Sequence, residues 1–269
     1  MKRLTDVQSY ALDTLIAFKS LCDKENLPWY VIGGTAIGAI RDHGFIPWDD
    51  DIDIGMPRWA FDKLISLDQG KFPEGSLVTP CDGAAMYTKH VKGKEIWSPC
   101  VFDVVKDPYI DVFPIDGAPR KHLFRLAHYG ICFIFLFFLR MGKVNHADIS
   151  IHRPWYKQYL IKLGRLLDLE ERIPTERITD AFSKFRSHWK FEESAYVGNF
   201  LGRYRYREVV PKSYFGEPRL HFFENTQVFI PERCEQYLSR IYGDYMTPPD
   251  ERHRDNHNLT MRDLENDEV

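Results

Sequence analysis

The chain has 269 residues, 44% hydrophobic, 14% aromatic and 28% charged, with a formal net charge of −3. A chain of this length buries about 70–75% of its unfolded surface, so its core needs neither disulfides nor a structural metal. The near-neutral charge gives no broad basic field to draw nucleic acid, and the five scattered cysteines, without a CxxC pair, exclude a zinc ribbon or a thioredoxin-type site.

Met1 to Gln8 is polar and lacks an apolar h-region, so the expectation is a cytoplasmic chain with reduced thiols. Thr5 and Gln8 fit a capping box. Val7, Tyr10, Ala11, Leu15, Phe18, Leu21 and Cys22 follow at helical spacing, until Asn26-Leu27-Pro28 stops the helix. Trp29 to Ile32 predicts a short buried strand that runs into Gly33-Gly34-Thr35 and a short helix, Ala36 to Arg41. Phe45 to Trp48 is a rigid apolar connector. Asp51-Ile52-Asp53-Ile54 alternates with period two, predicting a strand with one acidic and one apolar face. Pro57 suits a first helical turn, with a helix from Trp59 to Leu67. Tyr109-Ile110-Asp111-Val112-Phe113 repeats the strand pattern, and Pro114 is expected to end it.

Beyond Pro119 the texture changes. Leu123 to Met141 is an apolar, aromatic helical stretch bracketed by Arg120, Lys121, Arg125, Arg140 and Lys143. Residues 155–200 look helical and amphipathic, Gln227 to Pro231 predicts a strand, and Glu232 to Tyr242 a last helix. The acidic tail from Asp263 is expected to fray. The longest unbroken apolar run, Ile131 to Leu139, is far shorter than the roughly 20 residues of a membrane span, so none is expected. Three readings of residues 123–141 stay open: a core helix, a subunit interface, or an in-plane helix on anionic lipid, peripheral at the inner face of a membrane. The fold class is therefore α/β (α+β), with a small mixed sheet in a core over residues 1–117 and a mainly helical part over 118–269.

The acidic run carries the chemistry. Residues two apart on a strand share a side, so Asp49, Asp51 and Asp53 converge while Asp50 points away. Several ionised carboxylates beside an apolar strand face repel unless a cation compensates. A divalent magnesium (or manganese) with hard oxygen ligands does so, completing its shell with substrate phosphates. Asp111 offers a third carboxylate from a neighbouring strand. Backbone N–H groups after Gly33-Gly34 can meet phosphate oxygens. Strand, Gly-Gly, helix, then Asp-x-Asp, then one later acid is the nucleotidyltransferase arrangement, whose logic is metal-assisted phosphoryl transfer.

At these residues the chain resembles the LicD family of phosphocholine transferases, related to fukutin and fukutin-related protein. The resemblance rests on Gly33-Gly34-Thr35, Gly38-Ala39-Ile40-Arg41, Met56-Pro57-Arg58 and, above all, Gly44-Phe45-Ile46-Pro47-Trp48-Asp49-Asp50-Asp51-Ile52-Asp53-Ile54. Ile110 to Gly117, Phe223-Glu224 and Tyr242-Gly243-Asp244-Tyr245-Met246 look like its later blocks, while residues 118–220 align with nothing in it. The resemblance implies a phosphotransferase that moves a phosphorylated small alcohol from a CDP-linked donor, typically CDP-choline, to a sugar hydroxyl. The acceptor would be a lipid-linked or cell-surface glycan or teichoic-acid precursor. By resemblance and by geometry Asp51 and Asp53 are catalytic metal ligands, and catalytic Asp111 is a further metal ligand or the general base; Asp49 is an outer metal ligand or a strand-end charge. Gly33, Gly34 and Thr35 are the donor-phosphate turn, with Arg41 and Lys89 as candidate donor contacts or else solvated side chains. Trp48, Trp97 and Tyr109 are candidates for an aromatic cage around a quaternary ammonium. Two rivals remain: transfer of the nucleotide itself, and a non-catalytic glycan-binding or membrane scaffold.

Overall fold

The computed structural model describes residues 4–68, 71, 76–80, 87–91, 94–98, 100–104, 110–146 and 155–251, with the backbone alone for 76–104. In chain order the first half runs α1 (Asp6–Glu25), β1 (Tyr30–Val31), α2 (Gly33–Ile37), a π-helical turn (Gly38–Asp42), β2 (Asp53–Pro57), α3 (Arg58–Ile65), β3 (Ser76–Pro80), β4 (Tyr87–Val91), β5 (Lys94–Ser98), β6 (Cys100–Val104) and β7 (Ile110–Ala118). The second half adds α4 (His122–Met141), α5 (Trp155–Leu166), α6 (Leu169–Arg172), α7 (Thr175–Arg186), β8 (Tyr196–Gly198), β9 (Val209–Pro211), β10 (Arg219–Phe223), β11 (Thr226–Ile230) and α8 (Cys234–Tyr242).

The main sheet has the order β1-β2-β7-β6-β3, and β8 joins β7 and then β9. It is mixed: β2 and β7 run parallel, while the other pairs are antiparallel. Two hairpins, β4–β5 and β10–β11, stand apart from it. The α/β class and small mixed sheet expected from the sequence are present.

Local chemistry explains the boundaries. Thr5 and Gln8 exchange both bonds of the capping box. Asn26 ends α1 in the left-handed region at φ 54, donating its N–H to the Cys22 carbonyl, a conformation asparagine tolerates. The acidic strand starts later than its alternation predicts, at Asp53, so residues 49–52 are irregular. Pro114 does not end β7. It lies between the segments paired with β6 and β8, flanked by β2 alone, and proline is tolerated where one side of a strand is open. The β10 strand had no expectation, because Arg219 to Phe223 lacks alternation.

A boundary at residue 117 does not separate two cores. The main cluster packs Phe18, Trp29, Ile52, Ile54 and Val112 against Val197, Phe215, Phe223, Val228 and Tyr237. Residue 117 itself lies inside β7, paired with Val197. A second cluster joins α4 and α7 to Phe200, Leu201 and Val209. As a helix, α4 is long and apolar enough to cross a membrane by length and composition, although no unbroken run is; 28% of its apolar window is buried.

One buried ion pair ties α3 to β7. Arg58 donates to both carboxylate oxygens of fully buried Asp116, at 2.6 and 2.8 Å, and Arg186 approaches the same group at 3.8 Å. Burial alone would lower the Arg58 pKa; Asp116 more than offsets it and the pKa is raised. Removing one member of a buried pair leaves an uncompensated charge. Asp116→Ala should cost about 3–5 kcal/mol of folding stability, measured by guanidinium unfolding; a loss below about 1 kcal/mol would show that this pair is not a fastener of the fold.

Candidate active site

Three elements bring the acids together. The parallel register sets Asp53 opposite Asp111, and the Asp111 N–H donates to the Ile52 carbonyl at 2.8 Å. The glycine turn closes from the other side: Ile32 N–H donates to the Asp53 carbonyl at 3.0 Å, and Asp53 N–H donates to Thr35 Oγ1 at 2.9 Å. Asp51, Asp53 and Asp111 thereby each offer a carboxylate oxygen within 4.8 Å of the others. Asp49, Asp50 and Asp51 form a second such trio. The four expected metal-binding acids thus fall into two overlapping groups that share Asp51. Asp50 does not point away, because period-two alternation has no force outside a strand.

Burial, then the charges of Asp51, Asp111, Asp49 and Glu208, push the Asp53 carboxyl well above the usual carboxylate range. Hard oxygen donors this close are of the kind a divalent magnesium or manganese ion takes. The glycines matter for space. A Cβ on Gly33 would lie 2.5 Å from Asp53 Oδ2, and one on Gly34 would lie 2.7 Å from Asp49 Oδ2. Gly33 also sits at φ +57, where a side chain is strained.

The loop before the acids is braced from far along the chain. Glu224 accepts from Phe45 N–H at 3.0 Å and gives its own N–H to the His43 carbonyl at 2.9 Å. Gln8 Nε2 donates to the Asp49 carbonyl at 2.8 Å. A cavity of about 830 Å³ opens over the cluster and includes Gly33, Gly34, Arg41, Asp49, Asp51 and Asp53 in its wall. Thr35 and Asp111 lie behind that wall, both buried. Arg41 donates to the Tyr245 carbonyl at 3.0 Å, and its guanidinium lies 5.8 Å from the Trp48 ring centroid. The Trp48 face therefore already carries a cation, which disfavours it as part of an ammonium cage. The side chains of Lys89 and Trp97, together with Tyr109 and the tail from Asp263, lie outside the described residues.

The rest of the cavity wall was mostly not read from the sequence, the Tyr242–Tyr245 block apart. It comes from Tyr129, Phe133 and Arg140 of α4, from Arg203, Tyr204, Arg205, Arg207 and Glu208, and from Tyr237, Tyr242, Asp244 and Tyr245. Alternating Arg and Tyr over 203–207 was the available signal. Tyr204 and Tyr242 meet edge to face, 4.6 Å apart. Gly243 turns the chain at φ +78, so the Tyr242–Tyr245 block both ends α8 and lines the cavity.

Glu208 accepts from Tyr204 N–H at 2.8 Å, but burial dominates and raises its carboxyl from 4.5 to about 8. The folded chain then keeps a proton that the unfolded chain releases. Stability from this group is full below about pH 4.5 and is lost as pH rises toward about 8, by up to about 1.4 kcal/mol per pH unit. Glu208→Gln removes that dependence. Urea midpoints at about pH 5.5 and about pH 7.5 should fall further for the parent than for the variant; parallel falls would exclude Glu208 as the titrating group.

Residues 26–130 match the LicD/FKTN/FKRP nucleotidyltransferase domain. The chain is 27% identical over 268 residues to the lipopolysaccharide cholinephosphotransferase LicD of Haemophilus influenzae, covering 96% of this chain and 97% of that one. An uncharacterized protein of Rickettsia prowazekii is 47% identical over 36 residues, 13% of this chain and 14% of its own. Among solved structures, ANT(2″)-Ia in complex with adenylyl-2″-tobramycin aligns with 64% of this chain and 97% of its own at 14% identity. Its TM-score of 0.28 is too low to bear on the fold or the site. The glycine turn and the whole acidic run fall inside the stretch that matches the LicD/FKTN/FKRP nucleotidyltransferase domain.

Proposed function

We propose that the chain transfers phosphocholine from a CDP-linked donor to a sugar hydroxyl of a glycan. The observation that carries this reading is the trio Asp51, Asp53 and Asp111, with oxygens within 4.8 Å of one another beneath the glycine turn. The name of the Haemophilus relative supports phosphocholine as the group moved and a glycan as its destination.

Asp51 and Asp53 face the cavity and would hold the divalent cation, with buried Asp111 completing the set from behind. Of the two roles open to Asp111, that position favours holding the cation over meeting the acceptor. A bound magnesium or manganese ion would neutralise phosphate charge and make the acceptor hydroxyl more acidic. The bare backbone of Gly33 and Gly34 lets a diphosphate approach where any Cβ would intrude. The acceptor oxygen attacks the phosphorus that bears choline, the bond from that phosphorus to the bridging oxygen breaks, CMP leaves, and a cavity-facing carboxylate, Asp51 or Asp53, takes the hydroxyl proton.

The nucleotidyltransferase character of the domain keeps one rival in view: attack on the other phosphorus, which would move the nucleotide. Mass spectrometry separates the two. Free CMP with a phosphocholine-bearing glycan is the expected outcome, and a cytidylylated acceptor would overturn it. Asp53→Asn should lower turnover by at least about a thousandfold with an unchanged circular dichroism spectrum, since one fewer charge among crowded acids relieves repulsion. Retained turnover would remove the metal-site assignment.

A further inference from the structure

Helix α4 presents three stripes. Arg125, His128, Cys132, Leu136 and Leu139, three or four residues apart, are buried. Arg125 fastens this stripe by donating to the carbonyls of Pro119 and Arg120 at 3.1 and 2.8 Å. Tyr129, Phe133, Leu136 and Arg140, again at helical spacing, line the cavity that contains Asp51 and Asp53. The third stripe is apolar and turned outward: Leu123, Ile131, Ile134 and Phe138 are 80, 40, 54 and 45% exposed.

Arg140 has a companion on the cavity wall. Arg205 lies 5.5 Å from the centroid of the Phe133 ring, about two helical turns before Arg140, and it adopts a left-handed backbone at φ +59. That conformation is uncommon for a residue with a side chain and recurs where a site over-determines the backbone. Arg140 and Arg205 line the same cavity, and burial, then the charge of Arg205, lower the Arg140 pKa. Among the described residues neither forms an ion pair with a carboxylate. Both arginines are exposed at the cavity and free to meet a ligand there, and a phosphate matches guanidinium geometry best.

The outward stripe has matching surroundings. Arg120, Lys121 and Lys143 bracket α4, and Lys157, Lys162 and Arg165 follow on α5, with no aspartate or glutamate in 120–146 or 155–166 of a chain that is negative overall. On α5, Trp155 and Tyr159 are 80 and 60% exposed. With α5 meeting the 144–146 turn that follows α4, an apolar helix face flanked along the chain by cations and aromatic rings suits the interface of an anionic bilayer. Spanning would require the buried Arg125 stripe to leave the domain, so the geometry favours a helix lying in the membrane plane.

We propose that α4 is the acceptor helix: Arg140 and Arg205 clamp a phosphate that joins glycan to lipid, while the Leu123 to Phe138 stripe rests in an anionic membrane surface. The proposal rests on a glycan acceptor, as inferred above, and narrows it to a lipid-linked one bearing a phosphate at the junction. One side of the helix then grips the substrate that the other side's environment delivers.

Binding tests it without turnover, so failure of the phosphotransfer reading would not obscure the result. Farnesyl diphosphate, farnesol and inorganic pyrophosphate are titrated calorimetrically onto the full chain carrying Asp53→Asn. Farnesyl diphosphate should bind at least about tenfold tighter than either control, and adding Arg140→Met or Arg205→Met should weaken it about tenfold. Binding of CDP should stay within about twofold. Unchanged farnesyl diphosphate affinity, or an equal loss of CDP affinity, would overturn the assignment; the latter would give the arginines to the donor. For the lipid face, the parent should float with vesicles of phosphatidylcholine mixed with phosphatidylglycerol and not with phosphatidylcholine alone. Ile134→Glu and Leu123→Glu, both at exposed positions, should reduce flotation to that background with unchanged Tm, and undiminished flotation of both would reject membrane contact.

Discussion

Repulsion among carboxylates that the backbone forces together is the constraint around which the molecule is organised. The parallel pairing of β2 and β7 puts Asp53 opposite Asp111, and the irregular segment before β2 folds Asp49, Asp50 and Asp51 onto the same corner. The two strands end differently. At their far end Asp116 is matched by Arg58 and the pair is a fastener. At the near end acids meet acids, and the Asp53 carboxyl is pushed upward as a result. A chain that neutralises one acid so completely and crowds the others spends stability where a cation and a phosphate would recover it.

Holding that corner in place draws on the whole chain. The Thr35 hydroxyl and the Ile32 N–H tie the glycine turn to Asp53, Gln8 holds the Asp49 backbone, and Glu224, 179 residues from Phe45, braces the loop that leads into the run. This explains why the quoted motif blocks are so far apart along the chain and yet converge. It also explains why the C-terminal strands and α8 share the core of the N-terminal half.

The second half contributes walls and surfaces. Its arginines and tyrosines line the same cavity as the acids, so the site carries both acidic and basic groups. A cation held by the acids would leave the cavity favouring anions, as the proposed phosphoryl transfer requires. Helix α4 belongs at once to the core, the cavity and the outer surface. Its hydrophobicity therefore has several causes, and composition alone could not apportion them.

Much was legible in the sequence because it depends on neighbours along the chain. The capping box of Thr5 and Gln8, the apolar strand running into Gly33-Gly34, and the clustering of Asp49, Asp51 and Asp53 follow from local spacing, while Asp111 was recognised by its strand pattern and brought in by the β2–β7 pairing. Local rules failed where pairing decided the outcome. Pro114 was free to continue a strand because one side of it is open, Asp50 turned toward its neighbours because residues 49–52 never become strand, and the cut at 117 dissolved because β7 pairs with β8. Most of the remaining cavity wall could not be read, since Arg140 and Arg205 come to one cavity only when α4 packs beside the 202–208 turn. Sequence determined which acids and glycines are available to a site, because charge and backbone freedom are properties of the residues themselves; tertiary structure decided what faces them, because long-range proximity is set by packing.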